Sequence, residues 1–123
     1  MKLLIAEDEE ILAKVLREKF EKEKFTVVIV ADGDAVIREV KSSKPDMILL
    51  DIILPKKDGL AILKELKASP ETDKIPVIIL SNLGDDEKIK EGLSLGADDY
   101  LVKTQHPINE VVEKVKELQL KGK

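Results

Sequence analysis

The sequence contains no cysteine, no tryptophan and a single tyrosine. Without cysteine, the chain can form neither disulfides nor thiolate metal sites, which is compatible with a reducing cytoplasm. We therefore expect a cytoplasmic protein. Long apolar segments are also missing: acidic residues 7–10 end the apolar start too early for a secretory signal. No apolar stretch is long enough to cross a bilayer, so we expect no membrane partner.

The charge and length of the chain narrow the function further. Its 123 residues are 43% hydrophobic and 37% charged, with a formal net charge of −4. An excess of acidic residues gives no electrostatic basis for binding nucleic acid directly. The length suits one domain with one core, and we predict a single domain over residues 1–123.

Short apolar runs alternate with helical patterns along the whole chain. Within each helical pattern, apolar residues recur at helical spacing and predict the side of the helix that faces the core. Ile11 and Leu16 are examples from the first pattern, and Leu93 is one from the fourth. The alternation predicts an α/β fold, with a doubly wound five-stranded parallel sheet covered by five helices. The runs have the length of buried strands and lie at residues 3–6, 27–31, 47–50, 77–80 and 100–102.

Polar residues that can do chemistry follow each of these strands. Glu7 and Asp8 follow the first, Asp32 the second, Asp51 the third, Ser81 the fourth and Lys103 the fifth. In an open parallel sheet, ligands gather outside the carboxyl ends of the strands. If the first and third strands are neighbours, as in the doubly wound order 2-1-3-4-5, the three carboxylates at their ends converge on a small volume.

Three converging carboxylates repel one another, and raised pKa values or a bound cation relieve that repulsion. Oxygen ligands suit Mg²⁺, whose coordination is normally completed by phosphate. Asp51 could then be a nucleophile that accepts a phosphoryl group, with Lys103 and Ser81 binding the phosphoryl oxygens. A simpler interpretation of residues 7–9 is the acidic first turn of a helix, favoured by the helix dipole.

These motifs, taken in order, resemble those of the response-regulator receiver family over essentially the whole chain. The resemblance rests on the Glu7-Asp8 pair, on Asp51 and on four later features: residues 54–59 (LPKKDG), Ser81, residues 96–100 (GADDY) and Lys103. It implies a flavodoxin-like receiver domain of two-component signalling in which Asp51 is the phospho-acceptor. It also implies that Asp8, Asp51 and the backbone carbonyl of Ile53 ligate Mg²⁺, with Glu7 acting mainly through water.

The resemblance further implies how the domain would signal. Ser81 and Lys103 would contact the phosphoryl group, and Tyr100 would move between outward and inward positions to report the switch. The implied partners are a histidine kinase or histidine phosphotransfer protein, and a downstream protein bound by the face of helix four, strand five and helix five. The domain would not be an enzyme, although it would assist its own phosphorylation and dephosphorylation.

Two residues depart from the family pattern. Thr104 follows Lys103 where the family usually has proline after a cis peptide bond. A cis bond before a residue other than proline costs about 3 to 4 kcal/mol, so either this loop stores strain or the bond is trans and the Lys103 side chain points in a different direction. Asn82 replaces a residue that is usually small, and we expect it to narrow access to Asp51.

Two other functions fit parts of the pattern. A Mg²⁺-dependent phosphohydrolase could also form an aspartyl phosphate, but such enzymes typically carry a second acid two residues after the nucleophile, where this chain has Ile53. A flavin- or nucleotide-binding module could use the same fold. It would need a phosphate cradle after the first strand, where acidic residues 7–10 would repel an anion.

Overall fold

The computed structural model describes residues 1–121 and has alternating strands and helices throughout. Within those residues the strands are β1 (Lys2–Ala6), β2 (Thr26–Val30), β3 (Met47–Leu50), β4 (Val77–Ser81) and β5 (Asp99–Val102). The helices are α1 (Glu10–Lys22), α2 (Gly33–Ser43), α3 (Gly59–Ala68), α4 (Asp86–Ser94) and α5 (Ile108–Lys121). The predicted alternation of five strands with five helices is therefore confirmed over the described range.

The five strands form a parallel sheet in the order β2-β1-β3-β4-β5, as predicted. Ala6 at the end of β1 is in register with Leu50 at the end of β3, and Ser81 at the end of β4 is in register with Val102 at the end of β5. The residues that follow these strands therefore leave the sheet at the same edge. This is the edge at which doubly wound folds bind their ligands.

Both faces of the sheet are buried under helices. Side chains alternate along β1, so Leu3 packs into one apolar cluster with Leu16 of α1 and Val111 of α5. Leu4 packs into the second cluster with Val36 of α2 and with α3. The two clusters explain why the strands are nearly continuous apolar runs.

Two helix residues that the sequence pattern assigned to the core lie at the surface. Ile11 is 82% exposed because α1 turns Ala13 and Leu16 to the sheet, and Ile11 lies well over 100° around the helix from both. Leu93 is 44% exposed, because the buried residue of α4 is its neighbour Gly92. Both assignments were wrong about the rotation of the helix, not about its existence.

Among residues 1–121, none of the helices combines the length and the apolar composition that spanning a bilayer requires.

Candidate functional site at the carboxyl edge of the sheet

Three carboxylates meet where β1 and β3 end. Glu7 is held in place by its backbone N–H, which donates to the carbonyl of Val30 in β2 at 3.0 Å. The backbone N–H of Asp51 donates to the carbonyl of Ala6 at 3.0 Å, which ties the end of β3 to the end of β1. Glu7 and Asp51 are buried and Asp8 is exposed, yet one oxygen of each lies within 4.8 Å of the others. The structure therefore brings the three acids together.

The ammonium of Lys103 lies among these carboxylates. Its Nζ is 2.8 Å from Asp51 Oδ2, 2.9 Å from Glu7 Oε1 and 2.6 Å from Glu9 Oε2. The backbone N–H of Lys103 donates to the carbonyl of Ser81 at 2.9 Å, so the pairing of β5 with β4 positions the lysine. An ammonium carries three N–H donors. Here it donates to Asp51 and Glu9 and forms an ion pair with Glu7.

The pKa values of this cluster are shifted by burial and by the ion pairs. Burial raises the pKa of the Glu7 carboxyl above its ordinary value, although the hydrogen bond from Lys103 acts in the opposite direction. Burial alone would lower the pKa of Lys103. Its hydrogen bonds to Asp51, Glu9 and Glu7 outweigh burial and raise that pKa. Lys103 is therefore a fixed positive charge in the physiological pH range.

The Lys103–Thr104 peptide bond, which the sequence left open, is trans. No cis peptide bond occurs anywhere in the range 1–121. Lys103 nevertheless reaches Asp51 at 2.8 Å. Replacement of the usual proline by Thr104 is therefore compatible with the predicted direction of the lysine side chain.

The loop from β3 to α3 folds closely around Asp51. The backbone N–H of Ile53 donates to Asp51 Oδ1 at 3.1 Å, which orients the carboxylate, and the Ile53 side chain is 56% exposed. The loop ends at Asp58, whose side chain caps α3 by accepting from the backbone N–H of Leu60 at 2.9 Å. Gly59 is required by close approach, because a Cβ there would lie 2.2 Å from the backbone carbonyl oxygen of Asp51.

The two predicted switch residues lie at the end of β4, where Ser81 is the last residue, and within β5, which contains Tyr100. Ser81 is fully buried, and its hydroxyl accepts a hydrogen bond from the backbone N–H of Leu83 at 3.3 Å. Tyr100 is also buried, and its hydroxyl donates to the backbone carbonyl of Leu83. Burial raises the pKa of the Tyr100 hydroxyl, which therefore stays protonated as a donor. Both side chains are thus linked through Leu83.

A cavity of about 210 Å³ opens beside the acids, large enough for a phosphoryl group but not for a large cofactor. A larger cavity of about 550 Å³ between α2 and the α3–β4 loop contains none of the predicted site residues. The residues that line the smaller cavity are Asp8, Glu9, Asp51, Ile53, Asn82 and Lys103. Asn82 therefore lies at the approach to Asp51, where the sequence placed it.

The donor set fits a hard divalent cation. Glu7, Asp8 and Asp51 supply carboxylate oxygens within 4.8 Å of one another, and Mg²⁺ prefers oxygen ligands. The exposed carboxylate of Asp8 offers a route for metal to enter from solvent.

Glu9 is a residue of this site that sequence reasoning missed. It was assigned only to the acidic first turn of α1, whereas its carboxylate lies 2.6 Å from Lys103 Nζ. Glu9 is the N-cap residue of α1, yet its side chain makes no capping hydrogen bond. The available signal was its residue type, since glutamate is not among the preferred N-cap residues.

The fold and this edge define a class of protein, and comparison with known proteins agrees. Residues 3–116 match the family model described as the response regulator receiver domain. The chain belongs to that family.

Relatives and solved structures support the assignment. The chain is 37% identical over 102 residues to the phosphate regulon transcriptional regulatory protein PhoB of Rhizobium meliloti (strain 1021), covering 83% of this chain and 45% of the relative. It is 34% identical over 115 residues to the alkaline phosphatase synthesis transcriptional regulatory protein PhoP of Bacillus subtilis (strain 168), covering 94% and 47%. The chain thus spans about half the length of these curated relatives.

Among solved structures, the receiver domain of the Francisella response regulator 1452 has a TM-score of 0.90 and 34% identity, covering 99% of this chain and 98% of that one. The BeF3-activated receiver domain of Klebsiella pneumoniae RstA has a TM-score of 0.87 and 28% identity, covering 94% and 96%.

Family membership fixes the general function. Receiver domains of two-component response regulators are phosphorylated on an aspartate, receive phosphate from histidine kinases and bind Mg²⁺ at an acidic pocket. The acidic cluster of this chain is compatible with that chemistry. The comparisons give no support to the phosphohydrolase or to the flavin- or nucleotide-binding module.

Proposed function

We propose that Asp51 is the phospho-acceptor of this receiver domain. The observation that carries this assignment is the contact of 2.8 Å between Asp51 Oδ2 and the ammonium of Lys103, inside a cluster with Glu7 and Asp8. The fixed cation orients the buried carboxylate as a nucleophile. The same cation can offset the negative charge of the phosphoryl group that the carboxylate gains. The other two acids lack such a combination of burial and an opening to the cavity.

In the proposed reaction, a carboxylate oxygen of Asp51 attacks phosphorus and forms a new O–P bond. The bond from phosphorus to the donor breaks, and the donor atom keeps the electron pair. With a histidine kinase or phosphotransfer protein the leaving group is the imidazole nitrogen, and with acetyl phosphate it is acetate. The product is an aspartyl phosphate on Asp51.

We propose Mg²⁺ as the cofactor, held by Asp8, Asp51 and the backbone carbonyl of Ile53, with Glu7 acting mainly through water. The metal would supply positive charge that offsets the phosphoryl oxygens. The hydrogen bond from the backbone N–H of Ile53 to Asp51 Oδ1 would hold the loop in place during the reaction.

Lys103 and Ser81 are proposed to bind the phosphoryl oxygens. Lys103 lines the cavity and needs only to exchange a partner, whereas the buried Ser81 hydroxyl, which accepts from the Leu83 N–H, would turn to donate its proton to a phosphoryl oxygen. Because the Tyr100 hydroxyl donates to the carbonyl of Leu83, that change would alter the surroundings of Tyr100. The face of α4, β5 and α5 would then present a different surface to a downstream protein.

The broader proposals follow from the same assignment. Residues 1–123 would form a single receiver domain that accepts phosphate without substrate turnover, assists its own phosphorylation and dephosphorylation, and contacts neither nucleic acid nor membrane itself. A cytoplasmic location stays a prediction.

The test is mass spectrometry after incubation with acetyl phosphate. Wild type should gain one phosphoryl mass with Mg²⁺ and none without it, and Asp51→Ala should gain none. Asp32→Asn is the matched control, because Asp32 also follows a strand but pairs with Lys56 at 3.0 Å. Labelling of Asp51→Ala to the level of Asp32→Asn would overturn the assignment.

A further inference from the structure

The partners of Lys103 differ greatly in their freedom to move. The side chains of Glu7 and Asp51 are 2% and 5% exposed, whereas that of Glu9 is 55% exposed. Three carboxylates already surround the ammonium, which donates hydrogen bonds to Asp51 and Glu9 and forms an ion pair with Glu7 at 2.9 Å. A phosphoryl oxygen that binds this ammonium therefore competes with these carboxylate partners for its three N–H donors. Glu9 is the one that solvent can hydrate at least cost.

The position of Glu9 in the chain is not explained by the stability of α1. Glu9 occupies the N-cap, but its side chain makes no capping hydrogen bond. Its backbone N–H donates to Glu7 Oε2 at 3.0 Å, which fixes the start of the side chain beside the acid cluster. Instead, Glu9 Oε2 lies 2.6 Å from Lys103 Nζ, the shortest of the three carboxylate contacts of the ammonium.

Glu9 also faces the space that a phosphoryl group would enter. Glu9 and Lys103 line the same cavity of about 210 Å³ beside Asp51. A phosphoryl group on Asp51 and the Glu9 carboxylate are both anions within reach of one ammonium, so they compete for it.

We propose that Glu9 is a positioning residue that holds Lys103 in the resting domain and competes with the phosphoryl group for its ammonium. The proposal rests on the function proposed above. Removing Glu9 should leave one donor of Lys103 available, and a phosphoryl mimic on Asp51 should then bind more tightly. Because exposed ion pairs contribute little free energy, we expect a gain in affinity of about threefold to fivefold.

The experiment is a titration with beryllofluoride in saturating Mg²⁺, followed by amide chemical shifts. Glu9→Gln removes the charge and the strong contact, and Glu9→Asp keeps the charge but shortens the side chain by about 1.5 Å. Glu10→Gln is the control, because it removes the charge of the neighbouring exposed residue in the first turn of α1. Asp is a preferred N-cap, so Glu9→Asp should not lower the free energy of unfolding.

We expect both Glu9 variants to bind beryllofluoride about threefold or more tightly than Glu10→Gln and wild type. Any other pattern overturns the proposal, including equal gains in Glu9→Gln and Glu10→Gln, which would indicate a general charge effect. The two levels of inference are separable: if wild type binds the mimic but the pattern is absent, only the role of Glu9 fails. If wild type binds no mimic, the proposed function fails with it.

Discussion

Replacing Lys103 with methionine should destabilise the domain much more than the loss of an ordinary surface lysine. Lys103 supplies the ammonium that compensates Glu7 and Asp51, whose side chains are 2% and 5% exposed. Methionine keeps an unbranched apolar stem as far as Cε but removes the charged ammonium. The two acids would then remain buried without their cation.

The magnitude follows from the burial of these groups. Removing one partner of a buried ion pair costs about 3 to 5 kcal/mol, because the remaining charge is left without compensation. Here the Lys103 side chain is 11% exposed and its ammonium borders an open cavity, so water can hydrate part of the site. We therefore expect a loss near the lower bound, about 3 kcal/mol in the free energy of unfolding near pH 7.

The loss of unfolding free energy in Lys103→Met should depend on pH, because Glu7 can bind a proton in the folded variant. Burial already raises the Glu7 pKa above 4.5, and Lys103→Met removes a hydrogen bond that lowers it. Folded Glu7 then binds a proton over a pH range in which unfolded Glu7 has lost it. Between 4.5 and the raised pKa, the free energy of unfolding falls as pH increases. The variant should therefore be closest to wild type near pH 4.5 and furthest below it at neutral pH.

The assay is urea unfolding followed by circular dichroism, at several pH values and with or without Mg²⁺. Lys116→Met is the control, because Lys116 of α5 forms an exposed pair at 2.8 Å with Glu23, the residue that follows α1. That variant should change stability little and without this pH dependence. Added Mg²⁺ should stabilise Lys103→Met more than wild type, by about 1.4 kcal/mol for each tenfold gain in metal affinity.

Equal losses in Lys103→Met and Lys116→Met near pH 7 would refute the argument, since Lys103 would then not compensate buried charge. A loss that does not shrink toward acid pH would show that Glu7 does not take up a proton.

Three further predictions concern the same edge of the sheet. Asp8→Ala should weaken Mg²⁺ binding in calorimetry while keeping or raising the free energy of unfolding, because it relieves carboxylate repulsion; unchanged Mg²⁺ affinity would count against the metal site. Ile53→Asn combined with Leu83→Glu should speed loss of phosphate about tenfold, or about 1.4 kcal/mol in barrier, because polar side chains can orient the attacking water. Decay no faster than wild type would reject that reasoning. Tyr100 fluorescence and α4 amide shifts should change with beryllofluoride, and identical spectra would argue against the switch.

The strands were predictable because burial leaves a local signal in the sequence. The predicted run at residues 47–50 coincides with β3, whereas β1, β4 and β5 differ from prediction by one residue at one end and β2 by one residue at both ends. Lys2 joins β1 because it is in register with Thr26 of β2, a pairing that an apolar run alone does not reveal. Strand ends thus depend on neighbouring strands, whereas strand existence depends on the run itself.

The rotation of a helix depends on packing that the sequence does not show. Gly92 faces the sheet because α4 lies so close that a Cβ at this position would be 2.7 Å from Ile79 Cδ1 and 3.0 Å from Tyr100 Cδ2. The apolar Leu93 is therefore turned outward. A pattern of apolar residues favours the large side chain, but close approach of the helix to β4 and β5 favours the small one.

The site divides in the same way. Glu7, Asp51 and Lys103 could be predicted to meet because parallel strands bring their carboxyl ends to one edge. The contact of Glu9 with Lys103 spans 94 residues and depends on side-chain rotamers, so nothing near Glu9 in the sequence announces it. The buried direction of the Ser81 hydroxyl is equally invisible to the pattern.

Removing the charge of Lys103 and removing the charge of Glu9 should therefore have opposite effects on the affinity for a phosphoryl mimic. Loss of Lys103 removes the cation that two buried acids need, so the resting domain is weakened and phosphoryl binding loses a donor. Loss of Glu9 removes only an exposed competitor, so the resting domain changes little and phosphoryl binding gains a donor. If this ion pair served only stability, loss of either charge would change the free energy of unfolding in the same direction, and would also change the affinity for the mimic in the same direction. Opposite signs in mimic affinity are what a shared ammonium requires.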